Sequence, residues 1–506
     1  MVMPALRLTG DARARLEKAG RLLLWLGLAW VAARALRYAG ALIAFPYQVD
    51  WREAAPLRSA LAISQGRNPW DPAWVAEDGS VYGAGFPWLA AKLLPGAWLT
   101  LGGLRCLSLA MLAGVSALVG ACGRRLGASA VGATAAGLLV FSGLLFSVTP
   151  LGRGDALAVA GLVGPLALMV LAPGRAWALA AAALLAALGV LAKAYAGFAL
   201  VWVVLYLWIQ GRRGDAGWFI LAWGLAVAAG AGLARHAYPG SLEATFTTVN
   251  IPGWLQWPWV GHQNMLYLFW AAWPLPLALA AALLAARPDR RGWAWLAVLG
   301  STVAVVELLL GRNHGAILTY YFQFLHPAAA LCLLALAARG GRPEPWWTAA
   351  GLALAAGLTV SLATKPLEGL EEVDLRPWRL VDGWVAGAQR PLLPQLLCSM
   401  ATAHGKPVQD NGHTTIFAGD GGSTGPVGTA MRNAVLAQQA DWDRALRERR
   451  CDLVLLQRDA LAMPPAPKGY RAEGILCLGT PANIWQLSAC FNVYRLPSSY
   501  PLNGGR

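Results

Sequence analysis

Charge is what this 506-residue chain has least of. Asp, Glu, Lys and Arg together make up 13% of it, against about 25% in ordinary soluble domains. A soluble protein of this length could not cover its surface with so few charges. Several chemical signatures are also missing from the sequence. It has no glycine loop of the phosphate-cradling type, no HExxH helix and no GxSxG elbow, which points away from ATP hydrolysis and metalloprotease chemistry. The cysteine and histidine spacings do not form a zinc site, and no repeat of solenoid period occurs.

What the chain has in excess is apolar length. Hydrophobic residues make up 57% and the mean hydropathy is +0.48, which excludes a disordered chain or a simple coiled coil. Apolar runs of about 20 residues recur, the length of a bilayer-spanning helix. The expected fold is an all-α polytopic membrane protein with about eleven spans, over 20–44, 98–121, 127–149, 155–172, 176–193, 195–210, 216–235, 264–286, 293–310, 318–338 and 346–364. The first run is too long for a cleavable signal peptide and is followed by no small-residue cleavage site.

The net charge of +15 would suggest nucleic acid in a soluble protein. Here the basic residues are scattered over short loops, so no nucleic-acid partner is expected and the membrane gives the better cause. One alternate set of loops carries Arg7, Arg13, Arg15, Lys18 and Arg21, then Arg124, Arg125, Arg175, Arg212, Arg213, Arg287, Arg290, Arg291, Arg339 and Arg342. The short loops of the other set carry only Arg153, Lys193, Arg235 and Arg312. Basic loops stay in the cytoplasm, which puts the N-terminus inside and, with an odd span count, the C-terminus outside.

Two outside regions are long. Residues 45–97 carry Asp50, Glu53, Trp70 and a Gly/Pro-rich aromatic run, with interfacial helices expected within Phe86 to Trp98. Residues 365–506 follow a membrane domain of residues 1–364 and read as a small extracytoplasmic α/β domain. Helical periodicity covers Arg390 to Gly405 and Asp441 to Arg450, and strands are expected from Cys451 to Leu456 and from Asn492 to Leu496. This region holds Cys398, Cys451, Cys477 and Cys490. Four cysteines in an exported domain suggest two disulfides. The turn-rich stretch containing Gly479 and Pro481 favours pairing Cys477 with Cys490, leaving Cys398 for Cys451. Most of the 25 tryptophans fit an aromatic belt, while Trp254, Trp257 and Trp259 could rim a site for a lipid.

Ionisable residues within or beside membrane spans usually face a cavity and mark a site. Of Asp50, Arg52, Glu53, Arg153, Asp155, Lys193, Glu307, Arg312, His314 and His326, nearly all are expected at outside ends of spans. Asp50 could act as a general base or cap an interfacial helix; Glu53, three residues on, shares its face in a helical turn. Arg153 could hold phosphate with Asp155 orienting it, or Asp155 could simply cap its helix. Lys193 could bind phosphate or snorkel to headgroups. Glu307, alone in an apolar run, needs a partner and lines a cavity on this reading. Arg312, His314, Tyr320 and Tyr321 could hold a diphosphate or a sugar, or anchor a helix at the interface.

These residues also carry a resemblance. Tyr47, Asp50 and Glu53 at three-residue intervals, followed by Gly66 and Trp70, resemble the first extracytoplasmic loop of GT-C-fold glycosyltransferases. The nearer likeness is to the bacterial protein mannosyltransferase and lipid A aminoarabinose transferase group. Tyr82, Gly83, Gly85 and Pro87 are similar to the end of that loop, Arg153 and Asp155 to its Arg-x-Asp segment, Lys193 to its Thr-Lys segment, and His314 through Tyr321 to a late polar segment. The resemblance implies a multi-pass protein of the bacterial inner membrane and cell envelope. It implies an inverting transfer from a polyprenyl-phosphate-linked sugar to an extracytoplasmic glycan, lipid or protein acceptor. Asp50 takes the catalytic position, with Glu53 as the second acid. No cofactor is required, because Arg and Lys can neutralise a phosphate leaving group, although the carboxylates leave a divalent metal as an option. Two other readings stay open: a transporter or flippase of lipid-linked sugar, and an inactive scaffold subunit that keeps the fold.

Overall fold

The computed structural model describes residues 10–50, 52–145, 149–247, 262, 264–285, 288–309, 321–338, 344–411, 425–457, 467–478 and 490–496. Helix dominates, as the apolar composition dictates. The first helix, α1 (Gly10–Ala44), has 35 residues, roughly 50 Å at the α-helical rise. After a segment with three short helices, α2 (Ala54–Ser64), α3 (Val75–Asp78) and α4 (Gly85–Leu93), come α5 (Leu101–Arg125), α6 (Ala130–Leu145), α7 (Asp155–Leu171), α8 (Ala176–Ala192), α9 (Ala199–Ile209), α10 (Arg213–Ala237) and α11 (Ser241–Thr247).

Beyond these lie α12 (Pro274–Ala285), α13 (Arg290–Ala304), α14 (His326–Ala337) and α15 (Trp346–Glu372). By length and composition, three helices among the described residues are long and apolar enough to cross a membrane, or four if the bent pair Asn264–Trp270 and Pro274–Ala285 forms one span. Six shorter apolar helices accompany them. Counting the bent pair and the six shorter helices as crossings gives ten among the described residues, against the eleven expected.

Local chemistry sets the helix ends. Thr100 accepts a hydrogen bond from the Gly103 N–H, and Asp289 one from Gly292, satisfying amides that a helix start leaves open. Arg124 and Arg125 fill the last turn of α5, where cations complement the helix dipole. The short link between α7 and α8 makes them antiparallel neighbours. Gly161 and Gly189 let their backbones meet: a Cβ on Gly161 would come within 2.6 Å of the Gly189 Cα. This close pairing puts the first residue of α7, Asp155, beside the end of α8, Lys193.

The C-terminal part is mixed α/β. Helices α16 (Leu375–Gly387), α17 (Cys398–Ala403) and α18 (Gly425–Arg447) surround a four-stranded sheet of order β1-β2-β4-β3. Its strands are β1 (Pro391–Leu392), β2 (Leu453–Gln457), β3 (Arg471–Cys477) and β4 (Cys490–Arg495). β1 runs parallel to β2, and β4 is antiparallel to both β2 and β3. The polar helix expected at Asp441 is the end of the longer α18. Helix α15 runs through residue 364 and ends at Glu372, and Val373 and Asp374 separate it from α16. Arg37 near the end of α1 donates to Glu371 at 2.8 Å, tying both helix ends together.

Cys477 and Cys490 are register partners on β3 and β4 and form a disulfide. Cys398 and Cys451 do not pair; both are free and buried. They belong to separate apolar clusters. Cys398 packs with Trp378 and Leu397 and donates to the Asp410 carbonyl at 2.7 Å, whereas Cys451 packs with Leu392, Trp442 and Tyr470. The helix-to-strand link expected there is replaced by ordinary core packing.

This α/β part lies on the segment that follows α1. Phe45, Tyr47 and Val49 share a buried cluster with Trp378, Val381, Val385 and Leu397. Trp70, Val75 and Val81 share another with Met431 and Val435. Asn411 donates to the Glu77 and Gly79 carbonyls at 2.9 and 2.8 Å.

Candidate active site

Immediately after α1 the chain turns back through Tyr47–Glu53. Asp50 does not cap a helix. Its Oδ1 accepts from the Arg52 N–H at 2.8 Å, the aspartate-type turn that short acidic side chains form with their own backbone. The cap position of α2 is Glu53, which makes no side-chain cap bond. Asp50 is 3% exposed, and its Oδ1 also meets Arg153 Nη1 at 3.4 Å.

Arg153 lies in the turn between α6 and α7 and joins three groups. Besides Asp50, it donates from Nη2 to the Tyr82 hydroxyl at 2.9 Å, and its Nε lies 3.3 Å from Asp155 Oδ2. The capping reading of Asp155 does not describe its contacts: its Oδ1 receives Lys193 Nζ at 2.7 Å and the Tyr195 hydroxyl at 3.3 Å. Lys193 ends α8 in an extended conformation (φ −155°, ψ 131°), so the helix stops and the side chain turns towards Asp155 rather than along the helix axis. Tyr195 reaches on to Gln323 Oε1 at 3.1 Å, and Gln323 donates to Thr149.

Tyr82 closes the cluster. Its ring lies 3.7 Å from Lys193 Nζ and 5.4 Å from the Arg153 guanidinium carbon, in range for cation–π attraction. Arg52 Nη1 reaches the same hydroxyl at 3.3 Å. Gly83 explains how the segment comes so close: a Cβ there would lie 2.2 Å from the Leu191 carbonyl oxygen, so only glycine lets the two backbones touch. Burial of the Tyr82 phenol opposes its ionisation, but Arg153, Lys193 and Arg52 outweigh that and lower its pKa from 10 to about 8.

Three cations, Arg52, Arg153 and Lys193, thus meet two carboxylates, Asp50 and Asp155. The surplus positive charge sits where little water reaches and suits an anionic ligand. Both carboxylates are engaged by cations, and no group of three acidic, His or Cys side chains suited to a metal occurs among the described residues.

Glu53 has a different position from the one expected. It is fully buried and forms a two-point pair with Arg105, at 2.9 and 2.8 Å. It also accepts from the N–H groups of Val49, Asp50 and Gly152 at 2.8, 3.3 and 3.2 Å. Burial opposes its charge, yet Arg105 and these amides hold the carboxyl below its ordinary pKa. An acid so fully bonded is placed to hold the turn, not to exchange protons with substrate. Arg105 is the residue sequence reasoning missed. The signal was present, because an arginine in the apolar run 98–121 needs a buried partner. Tyr195 was missed too, being a neutral residue inside an apolar run.

Glu307 lies in a π-turn, Val305–Leu309, and accepts from Asn264 Nδ2 at 2.8 Å. Tyr321 opens another π-turn, Tyr321–Leu325. Arg312, His314, Tyr320, Trp254, Trp257 and Trp259 lie outside the described residues. His326 is fully buried within the helix bundle, against Gly143 of α6.

No protein-family profile and no curated protein sequence matches the chain. Among solved structures it is similar to ArnT of Cupriavidus metallidurans bound to undecaprenyl phosphate, at 13% identity and a TM-score of 0.45, over 94% of this chain and 99% of that one. It is similar to the apo state of the same protein at 12% identity and a TM-score of 0.41, over 93% and 97%. It is also similar to the arabinosyltransferase EmbB of Mycobacterium smegmatis at 14% and 0.38, over 94% of this chain and 48% of that one.

Proposed function

We propose that the chain is a GT-C-type membrane glycosyltransferase that moves a sugar from a polyprenyl-phosphate donor to an acceptor hydroxyl at the outer membrane face. One observation carries this reading. Asp50, Arg52, Arg153, Asp155, Lys193 and Tyr82 form a single cluster of three cations and two carboxylates around one phenol, at the end of an apolar helix bundle. The positions of Asp50, Arg153 and Lys193 are also those that carry the family resemblance.

In the proposed step the acceptor oxygen attacks the anomeric carbon from the face opposite the phosphate. The new carbon–oxygen bond forms as the bond to the phosphate oxygen breaks, inverting the anomeric centre. Asp50 takes the acceptor proton. The electron pair leaves on the lipid phosphate, which departs as a dianion next to Arg153 and Lys193, both fixed in advance by Asp155. The whole transfer needs no electron donor or acceptor. The protein lies in a bacterial inner membrane on this reading, with the N-terminus cytoplasmic and the α/β part outside.

The test is to incubate purified protein in detergent or nanodiscs with a panel of undecaprenyl-phosphate sugars and candidate acceptors. Loss of a general base costs about 10²–10⁴ in rate, so Asp50→Asn should lose nearly all transfer while still binding undecaprenyl phosphate. Wild-type activity in Asp50→Asn would overturn the mechanism. Movement of lipid-linked sugar across vesicles without any transfer would instead favour a flippase.

A further inference from the structure

The candidate base is held from two sides, and one side belongs to the C-terminal α/β part. Gln48 is 1% exposed. Its Oε1 accepts from the Ser399 N–H at 2.7 Å, and its Nε2 donates to the Asp50 carbonyl at 3.2 Å. The Ser399 N–H can only donate and the Asp50 carbonyl can only accept, so a single orientation of the amide satisfies both. Ser399 is the second residue of α17, so its N–H is one that a helix start leaves without an internal partner. Beside this bridge, Tyr47 stacks on Trp378 with ring centres 5.0 Å apart and 15° between planes.

On the other side, Glu53 and Arg105 fix the amides of Val49 and Asp50. The Asp50 backbone is therefore clamped between the helix bundle and the α/β part. Among the described residues its carboxylate is met by the Arg52 N–H and by Arg153, so the direction of that carboxylate depends on where the backbone is held.

We infer that Gln48 is a positioning residue: it carries the docking of the C-terminal α/β part, through Ser399, to the backbone of Asp50 and so aims the candidate base. The inference rests on Asp50 being that base. It gives the α/β part a role in the chemistry that does not require it to touch the substrate. Misplacement of a reacting group by about 1 Å can cost about a hundredfold in rate.

Gln48→Met keeps the volume and loses both hydrogen bonds. Gln48→Asn keeps the amide but is one methylene too short to span both partners. Each would be assayed with an undecaprenyl-phosphate sugar, with melting temperature measured alongside. The expected result is a fall in kcat of about tenfold to a hundredfold, a donor KM within about twofold and only a modest fall in melting temperature, from the buried Ser399 N–H that loses its acceptor. In an Asp50→Asn background, the Gln48 substitution should cost nothing further, since groups acting through one another are not additive. A wild-type kcat in both Gln48 variants would overturn the inference, as would a full and independent loss in the Asp50→Asn background. Should Gln48→Met fail to fold, Gln48→Asn gives the same reading. If Asp50→Asn itself stays active, the base assignment fails instead, a separate outcome.

Discussion

The ammonium of Lys193 lies 3.7 Å from the centre of the Tyr82 ring while its Nζ donates to Asp155 at 2.7 Å. A cation from the end of one helix is thus covered by an aromatic from a loop more than a hundred residues earlier. The same phenol accepts from Arg153, so Tyr82 binds both proposed phosphate ligands.

This arrangement predicts a titration. The Tyr82 pKa is lowered from 10 to about 8, so the folded protein favours the phenolate. The linked stabilisation is complete above about pH 10, the ordinary value, and is lost as the pH falls through about 8. Thermal melts should show the difference between wild type and Tyr82→Phe widening in favour of wild type over that window. Ultraviolet phenolate absorbance should show a titration near pH 8 that Tyr82→Phe lacks. An anionic donor competes with the phenolate for the same cations, so its affinity should weaken through that pH in wild type only.

Gly83→Ala should act through sterics alone. The new methyl would meet the Leu191 carbonyl at 2.2 Å, and backbone on both sides has little room to give. The expected cost is about 1–3 kcal/mol of stability, together with a loss of kcat/KM of about tenfold or more as Tyr82 leaves Lys193. Gly96→Ala, with nothing within 4 Å of the added carbon, is the control and should match wild type.

Glu53→Gln should destabilise rather than selectively slow the chemistry. It leaves Arg105 buried without its counter-charge, a change that typically costs about 3–5 kcal/mol. Adding Arg105→Met should not restore stability, because Arg105 also bonds the carbonyls of Leu42, Phe45 and Tyr47, which would then be left buried and unpaired. Because the Glu53 pKa is lowered, its contribution is present above the ordinary carboxylate pKa and is lost as the pH falls below it. Chemical or thermal unfolding of the single and double variants checks all three statements.

The orientation of the chain can be read with reporters. A periplasm-active reporter fused after Arg506 should give signal, and a cytoplasm-active one at the same site should not. The basic loops predict this, and so does the packing of the α/β part on the Tyr47–Glu53 turn. A reversed pattern would place the candidate site on the cytoplasmic face and remove the proposed donor geometry.

The sequence alone determined that the chain is a helical membrane protein, because the length of apolar runs and the scarcity of charge are local properties. It also singled out Asp50, Arg153, Asp155 and Lys193, since ionised groups beside a bilayer are costly enough to stand out in a one-dimensional reading. It paired Arg153 with Asp155 but could not supply their other partners. Asp155 read either as a cap or as the group orienting Arg153, and only the close antiparallel pairing of α7 and α8 gave it Lys193. Glu53 looked like a second catalytic acid until Arg105, 52 positions along the chain, folded onto it. Cys398 and Cys451 looked like a disulfide pair, yet the sheet and α17 bury them in separate clusters. Gln48 and Tyr195 carry no charge and give no signal in sequence. Their roles depend on hydrogen-bond partners that are distant in the chain, and those distances exist only once the helices and the α/β part have packed.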